Sequence, residues 1–117
     1  MQMTEMQFAG GVPVESYGPG FFRIAGTVID SPICLGPQDV QSWRGYEDLV
    51  PLEALAGRVD VLFIGTGAES ALVPDEVISF LANLGLGFEA MASPTACRTY
   101  NVLLSEGRRV ALAALPV

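Results

Sequence analysis

The fold prediction depends on one stretch of the chain, Val59-Asp60-Val61-Leu62-Phe63-Ile64-Gly65-Thr66-Gly67. Five of the six residues from 59 to 64 are apolar, so both faces of a strand at this position would be covered. Strands of this kind belong to buried parallel sheets, whereas a strand with one face in solvent alternates apolar and polar residues. The stretch therefore predicts a central strand of a parallel sheet.

A helix is predicted after this strand. Pro74 suits the first helical position, two acidic residues follow it in the first turn, and Gly85 stands after the end. Val77, Leu81 and Leu84 share one face of that helix. We expect this apolar stripe to pack on the sheet.

The rest of the second half repeats the alternation. A strand over 86–91 precedes a second helix, for which Ser93 is the expected N-cap and Gly107 marks the end. A last strand is predicted over 110–115. This order of strands and helices predicts helices packed against a sheet.

The first half of the chain predicts short strands separated by turns. The candidate strands are 14–17, 21–25, 27–30 and 33–35, with Gly18-Pro19-Gly20 as the first turn. An irregular surface loop is expected over 38–50, and a short helix over 51–56. Residues 1–117 are thus predicted to form a single α/β (α+β) domain with extra antiparallel strands, and residues 1–12 a disordered N-terminus.

Charge and composition limit the partners that can be expected. The chain has 117 residues, half of them apolar, and a formal net charge of -7. Its six basic residues are all arginines scattered along the sequence, so nucleic acid would be repelled. Because only 16% of the residues are charged, we expect an exposed apolar patch.

Several residue types that catalysis commonly uses are missing. The chain has no histidine and no lysine, which excludes Ser-His-Asp and Cys-His arrangements, His-ligated metals, P-loops and Schiff bases within one subunit. We therefore predict no catalytic residue, no metal and no cofactor.

The two cysteines, Cys34 and Cys97, lie far apart in sequence and cannot build a disulfide framework or a four-ligand metal site by themselves. Cys97 falls in the first turn of a helix beside Arg98, where a thiolate would be stabilised. Its place on the apolar stripe indicates instead a buried, inert thiol, and Cys34 is interpreted in the same way.

The sequence also bears on location. No apolar run approaches the roughly 18 residues needed to span a bilayer, and the N-terminus lacks the positive charge of a signal peptide. We expect no transmembrane segment and a cytoplasmic location. Peripheral membrane association and a homo-oligomer are both compatible with the composition.

The first candidate site is Gly65-Thr66-Gly67, which leaves the end of the predicted central strand. Open α/β sheets bind ligands at such ends, and glycines let backbone N–H groups approach an anion. The third glycine of a dinucleotide fingerprint is absent, however, and the next helix begins only near Pro74. The alternative is a tight turn off the strand.

The second candidate site lies on the helix that follows. Arg98 and Asn101 share its exposed face, and Thr95 lies nearer its start. With the glycines, these residues would surround an anion at the strand ends. The alternative for Arg98 is a structural ion pair with Glu89 or Asp60.

A candidate partner surface comes from two loops. Trp43 and Tyr46 stand among polar neighbours, and both are residue types that often anchor interfaces. They could equally fold back as a lid on the core, because tryptophan is seldom left fully exposed. Glu69 and Leu72, in the loop after the central strand, complete this surface.

The run Thr95-Ala96-Cys97-Arg98-Thr99-Tyr100-Asn101-Val102-Leu103-Leu104-Ser105-Glu106-Gly107-Arg108, preceded by Ile64-Gly65-Thr66-Gly67, resembles the signature of a small family. That family includes the mitochondrial assembly factor three of respiratory complex I (NADH dehydrogenase) and uncharacterised bacterial and archaeal proteins. The likeness covers nearly the whole chain after the first twenty residues. Ala92 departs from it, since an acidic residue commonly precedes the hydroxyl there.

The resemblance implies a three-layer β+β/α domain, in which two main helices lie on one face of a mixed sheet and the N-terminal half adds a small second sheet. It also implies a non-enzymatic, protein-binding factor that aids the assembly of complex I or of another membrane complex. The alternative is a small anionic-ligand binder, or an unrecognised enzyme, with its site at the strand ends.

Overall fold

The computed structural model describes residues 10–37 and 39–117, which form two sheets and three helices. The small antiparallel sheet has the order β1-β2-β3, with β1 (Ser16–Gly18), β2 (Phe21–Ile24) and β3 (Thr27–Ile29). The larger sheet has the order β5-β4-β8-β6-β7, with β4 (Ile33–Leu35), β5 (Val40–Ser42), β6 (Val61–Gly65), β7 (Gly87–Met91) and β8 (Val110–Ala114). The helices are α1 (Val50–Glu53), α2 (Asp75–Leu84) and α3 (Ser93–Ser105).

The larger sheet is mixed. Strand β6 pairs in parallel with both β7 and β8, while β4 pairs antiparallel with β8 and β5. Because β6 has a neighbour on each side and side chains packed on each face, its apolar run is explained. The predicted α/β single domain with a mixed sheet and a small additional sheet is confirmed.

The prediction that the two main helices lie on one face of the mixed sheet is wrong. Leu62 and Ile64 of β6 share an apolar cluster with Val77 of α2, whereas Phe63 shares a separate cluster with Tyr100 of α3. Alternate residues of a strand point to opposite faces, so α2 and α3 cover different faces of the sheet. The reason is topological: the chain steps from β6 outward to β7 and then back across β6 to β8, and right-handed crossovers in opposite directions place their helices on opposite sides.

The small sheet adds its layer beside α3. Phe22 and Ile24 of β2 are buried in the cluster that contains Tyr100 and Leu104 of α3. The other cluster holds α1 and α2 against the opposite face, and Leu52 and Leu81 are fully buried there. The five-stranded sheet therefore separates two apolar cores.

Element boundaries differ from prediction mainly between 38 and 50. Where an irregular surface loop was expected, the chain forms edge strand β5, and Trp43 beyond it is buried. Gln38 and residues 1–9 lie outside the described part of the chain, and the predicted disorder of residues 1–12 falls largely there. Val12 is partly buried against the α3 core.

The exposed large apolar side chains are spread over several elements and loops. They are Tyr17, Val28, Val40, Val50, Leu72, Ile78 and Val102. Among these Leu72 is 95% exposed, the highest value. In the ranges 10–37 and 39–117, none of the helices is long and apolar enough to cross a membrane.

Candidate functional site

The end of β6 meets the first turn of α3 at Gly65. A Cβ atom at this position would lie 2.6 Å from the Ser93 Oγ and 3.0 Å from the Ala114 Cβ. Separations this short leave no room for a side chain, so the sequence needs glycine here for close packing of helix against strand. This contact accounts for Gly65 without a ligand.

Ser93 binds this junction together. Its hydroxyl donates to the Leu115 carbonyl at 2.5 Å and accepts from the Gly67 N–H at 2.9 Å, while its own N–H donates to the Gly67 carbonyl at 2.8 Å. The prediction of Ser93 as N-cap is wrong, since Ala92 occupies that position and Ser93 is the first helical residue. The hydroxyl joins the chain beyond β6 to the chain beyond β8 instead of capping the helix.

Thr66 fixes the loop that follows. Its N–H donates to the Met91 carbonyl at 2.9 Å, and its hydroxyl donates to the Glu69 carbonyl at 2.7 Å and accepts from the Ala71 N–H at 3.1 Å. The N–H groups of Thr66 and Gly67 are thus both engaged within the protein. Neither is free to hold an anion, and Gly67 has a φ of 110°, as the tight-turn alternative requires.

Asn101 of α3 is joined to the N-terminal segment. Its Nδ2 donates to the Val14 carbonyl and its Oδ1 accepts from the Val14 N–H, both at 2.9 Å. The side-chain amide therefore gives Val14 the pair of hydrogen bonds that a neighbouring strand would give. Thr95 and Arg98, by contrast, are exposed on the helix surface.

A pocket of about 280 Å³ lies between this segment and α3. It is lined by residues 14–17 together with Pro94, Cys97, Arg98 and Asn101. Of the six predicted ligand-binding residues, the pocket brings together Arg98 and Asn101, and its lining does not include Gly65, Thr66, Gly67 or Thr95. The contribution of residues 14–17 had no signal in the sequence, because it arises from packing between distant segments.

Charged groups around the pocket are unevenly paired. The Glu15 carboxylate lies 3.5 Å from the Arg23 Nε and accepts a hydrogen bond from the Gly26 N–H. Within the described chain Arg98 forms no ion pair. At the pocket wall, Arg98 is therefore a cation that no carboxylate of residues 10–37 or 39–117 pairs with.

The predicted ion pair of Arg98 with Glu89 or Asp60 is not formed. Asp60 pairs instead with Arg109, whose Nη2 lies 2.8 Å from the Asp60 Oδ1. This hydrogen bond, with the charge of Arg109, holds the pKa of the Asp60 carboxyl below its usual range. The reason is that β8 lies directly beside β6, which brings the start of β8 next to Asp60.

Both cysteines are free and buried, as predicted. Burial raises the pKa of the Cys97 thiol to about 11, and burial together with nearby Asp48 and Asp39 raises the pKa of Cys34 to about 12. Both thiols are therefore neutral at physiological pH, which is unsuited to nucleophilic chemistry. The described residues contain no cluster of three or more metal-ligating side chains.

The candidate partner residues fall into two groups. Trp43 is only 1% exposed, its indole N–H donates to the Asp48 carbonyl at 2.8 Å, and its ring meets Tyr46 edge to face at 5.9 Å. It thus takes the lid position, the second of its two alternatives. Glu69 and Leu72 are exposed on the loop fixed by Thr66.

Fold and site together define a small three-layer α/β domain with two cores, a closed hydrogen-bonded loop after β6 and a modest pocket beside α3. The chain belongs to the family described as protein of unknown function (DUF498/DUF598), whose model matches residues 14–115. The family resemblance predicted from the sequence is confirmed.

Individual relatives support this assignment. An uncharacterized protein of Rhodobacter capsulatus is 47% identical over 117 residues, covering all of this chain and 94% of that protein. NADH dehydrogenase [ubiquinone] 1 alpha subcomplex assembly factor 3 of Danio rerio is 29% identical over 123 residues, covering 99% of this chain and 71% of that protein. The crystal structure of an outer membrane protein from Bartonella henselae superposes with a TM-score of 0.83 at 31% identity, covering 95% of this chain and 99% of that one.

Proposed function

We propose that this protein is a non-enzymatic, protein-binding factor that assists the assembly of a membrane respiratory complex, with complex I as the first candidate. Kinship with complex I assembly factor 3 supports the proposal. So do the missing histidine and lysine, because few catalytic arrangements can be built without them.

The observation that carries the proposal is the presentation of Leu72. This side chain is 95% exposed, yet the next residue, Val73, is buried in the α2 core and the preceding loop is held by Thr66. Burying a leucine side chain contributes about 1.5–3 kcal/mol, which the isolated protein forgoes. An apolar side chain on an ordered loop suits a partner surface, and exposed Glu69 would lie at its polar rim.

The aromatic residues of the candidate surface take an indirect role in this proposal. Trp43 has almost no accessible surface, so it would hold its loop in place for half-buried Tyr46 instead of contacting the partner. We further propose a cytoplasmic location with peripheral contact to a membrane through the partner. The alternative partner that we propose is a second copy of the chain, which would bind through the same exposed apolar residues.

The second candidate function, binding of a small anionic ligand, is favoured by one observation: Arg98 lines the pocket and pairs with no carboxylate of the part of the chain that the structure describes. The N–H groups of Thr66 and Gly67 no longer support it, since both have partners. Ligand binding predicts a raised melting temperature with phosphate or a carboxylate, because selective binding to the folded state stabilises it. A flat thermal-shift screen would count against this candidate.

The decisive experiment is affinity purification, after gentle crosslinking, from the organism that encodes the chain. We expect complex I subunits or assembly intermediates to be recovered with the unaltered protein and to be reduced at least about tenfold with Leu72→Asp, since a charge replaces an apolar contact. The matched control is Val102→Asp, an exposed valine on α3, which should retain recovery.

Two results would contradict the proposal. Absence of every complex I component would remove that partner. Equal recovery with Leu72→Asp and the unaltered protein would remove the Leu72 surface.

A further inference from the structure

The outer edge of β1 continues into the pocket beside α3. Within residues 10–37 and 39–117, strand β1 is the terminal strand of the small sheet, and one of its edges has no strand neighbour there. Asn101 occupies that edge at Val14, where its amide supplies both hydrogen bonds. From Val14 onward, the pocket lies along this edge as far as Tyr17.

The register of the small sheet sets the direction of the Tyr17 backbone. Gly18 lies opposite Phe21 across the two-residue turn, and Tyr17 lies opposite Phe22. A two-residue turn is closed by a hydrogen-bonded pair, and such pairs alternate with pairs whose N–H and C=O groups point away from the partner strand. The N–H and C=O of Tyr17 therefore point away from β2, at the outer edge of β1.

The charge and size of the pocket narrow the ligand. Among the described residues, the lining cation Arg98 forms no ion pair. Glu15 also lines the pocket, but its carboxylate is paired with Arg23, which lies outside the lining. Burial raises the pKa of the Cys97 thiol to about 11, so this part of the lining is uncharged. The volume of about 280 Å³ lies just below the roughly 300–1,000 Å³ of small-molecule sites, which favours a ligand of one or two residues over a nucleotide.

We infer that this pocket binds the C-terminal end of an extended polypeptide, with its backbone on the free edge of β1 at Tyr17 and its terminal carboxylate on Arg98. Edge pairing supplies backbone hydrogen bonds, and a guanidinium is the side chain best shaped to hold a carboxylate. The exposed Tyr17 ring would cover the last side chain of the peptide. The inference rests on the proposed protein-binding function, since it specifies which part of a partner the pocket holds.

The test is a titration of the isotope-labelled protein, followed by two-dimensional ¹H–¹⁵N NMR spectra. The probes are N-acetyl-Ala-Ala with a free carboxylate, the same peptide as its C-terminal amide, and sodium acetate. We expect the acid to bind at least about tenfold more tightly than the amide, because hydrogen bonds to charged groups are the stronger ones. Signals of Tyr17 and Arg98 should shift most.

Two arginine variants locate the effect. Arg98→Gln should abolish the preference for the acid, while Arg108→Gln, an equal change of charge at an exposed position beyond the end of α3, should leave it intact. Both positions are exposed, and the same spectra report folding.

Equal binding of acid and amide, equal loss in the two variants, or acetate binding as tightly as the peptide would each overturn the inference. These results are separate from those of the affinity purification. If no complex I component is recovered but the peptide still binds, only the proposed function is contradicted. If recovery depends on Leu72 but the peptide does not bind, only the inference about the pocket is contradicted.

Discussion

The two faces of the five-stranded sheet hold their helices by different means. On one face, α3 is joined to neighbouring segments by hydrogen bonds from Ser93, Tyr100 and Asn101 in addition to apolar packing. On the other face, within the described chain, no side chain of α1 or α2 makes such a bond, and among the buried members of their cluster only the Trp43 indole donates a side-chain hydrogen bond. Hydrogen bonds require specific directions, whereas apolar burial rewards only proximity.

This difference teaches how each face contributes to function. The polar contacts fix α3 relative to residues 12–14, and hence the wall of the pocket. On the apolar face, α2 is held by side-chain packing, and the loop before α2 carries the exposed Leu72. We expect substitutions on the two faces to affect stability through different terms, cavity formation on one and unsatisfied polar groups on the other.

The largest effect is expected from Trp43→Ala, which would remove the largest buried side chain of the apolar face. The free energy of unfolding should fall by about 3–5 kcal/mol, because the residual cavity adds to the lost burial. Urea unfolding followed by far-UV circular dichroism measures this loss. Tryptophan fluorescence is unsuitable, because the chain has a single tryptophan and the variant has none.

The control for this change is Tyr17→Ala, an aromatic residue that is 40% exposed. It should cost clearly less than Trp43→Ala. A loss under about 1 kcal/mol for Trp43→Ala would contradict this prediction, because it would mean that neighbouring side chains close the cavity left by the ring.

The second prediction uses the two thiols, one on each face, to compare burial at alkaline pH. The folded-state pKa is raised to about 12 for Cys34 and about 11 for Cys97, while the unfolded thiols ionise near their ordinary value of 9.0. The unfolded state therefore releases its protons first, and stability present below pH 9 is lost as the pH rises toward the folded values. Each thiol contributes a slope of up to about 1.4 kcal/mol per pH unit in that window.

Removing either thiol should therefore flatten the alkaline loss, by similar amounts between pH 8 and pH 11. We expect Cys34→Ala to recover about 2.5 kcal/mol of the pH-dependent loss measured between pH 8 and pH 11 by urea unfolding. Identical pH profiles for Cys34→Ala and the unaltered protein would show that the apolar face admits water.

The third prediction tests the polar contacts of the α3 face. Ser93→Ala would leave the Gly67 N–H and the Leu115 carbonyl without their hydroxyl partner at a buried site. The expected loss of unfolding free energy is about 1–2 kcal/mol, the cost of buried groups without partners. Ser105→Ala, at the exposed end of α3, is the matched control and should change stability by less than about 0.5 kcal/mol.

Local sequence patterns predicted the elements of the second half well. Strand β6 follows from its apolar run, and α2 from Pro74 and Gly85 at its ends, because each signal lies within a few residues of the structure it describes. Strand β5 was missed since all of Val40, Gln41 and Ser42 are exposed, which leaves no alternation to detect.

Features that depend on distant segments could not be predicted in this way. The faces of the helices follow from the insertion of β8 between β4 and β6, which no local pattern encodes. The pocket depends on Asn101 meeting Val14, 87 positions away in the chain. Arg98 and Asn101 both line this pocket because they lie three residues apart on one helix.

The smallest effect is expected in the β2–β3 hairpin, whose strand β2 covers the α3 core. Its two-residue turn has positive φ at both positions, 51° at Ala25 and 78° at Gly26. Alanine is strained there, whereas asparagine is several times more common in this region and Asn-Gly is the preferred pair for such turns. Ala25→Asn should therefore raise the free energy of unfolding by about 0.5–1 kcal/mol in urea unfolding.

The result decides whether the small sheet is coupled to the α3 face. Because Phe22 and Ile24 are buried in the same cluster as Tyr100, the gain should appear in the single global transition. Ala25→Val, a β-branched residue at positive φ, is the opposing variant and should destabilise instead. Stabilisation of the hairpin amides alone, measured by hydrogen exchange without a shift of the global transition, would mean that the small sheet opens independently of the polar contacts that hold α3.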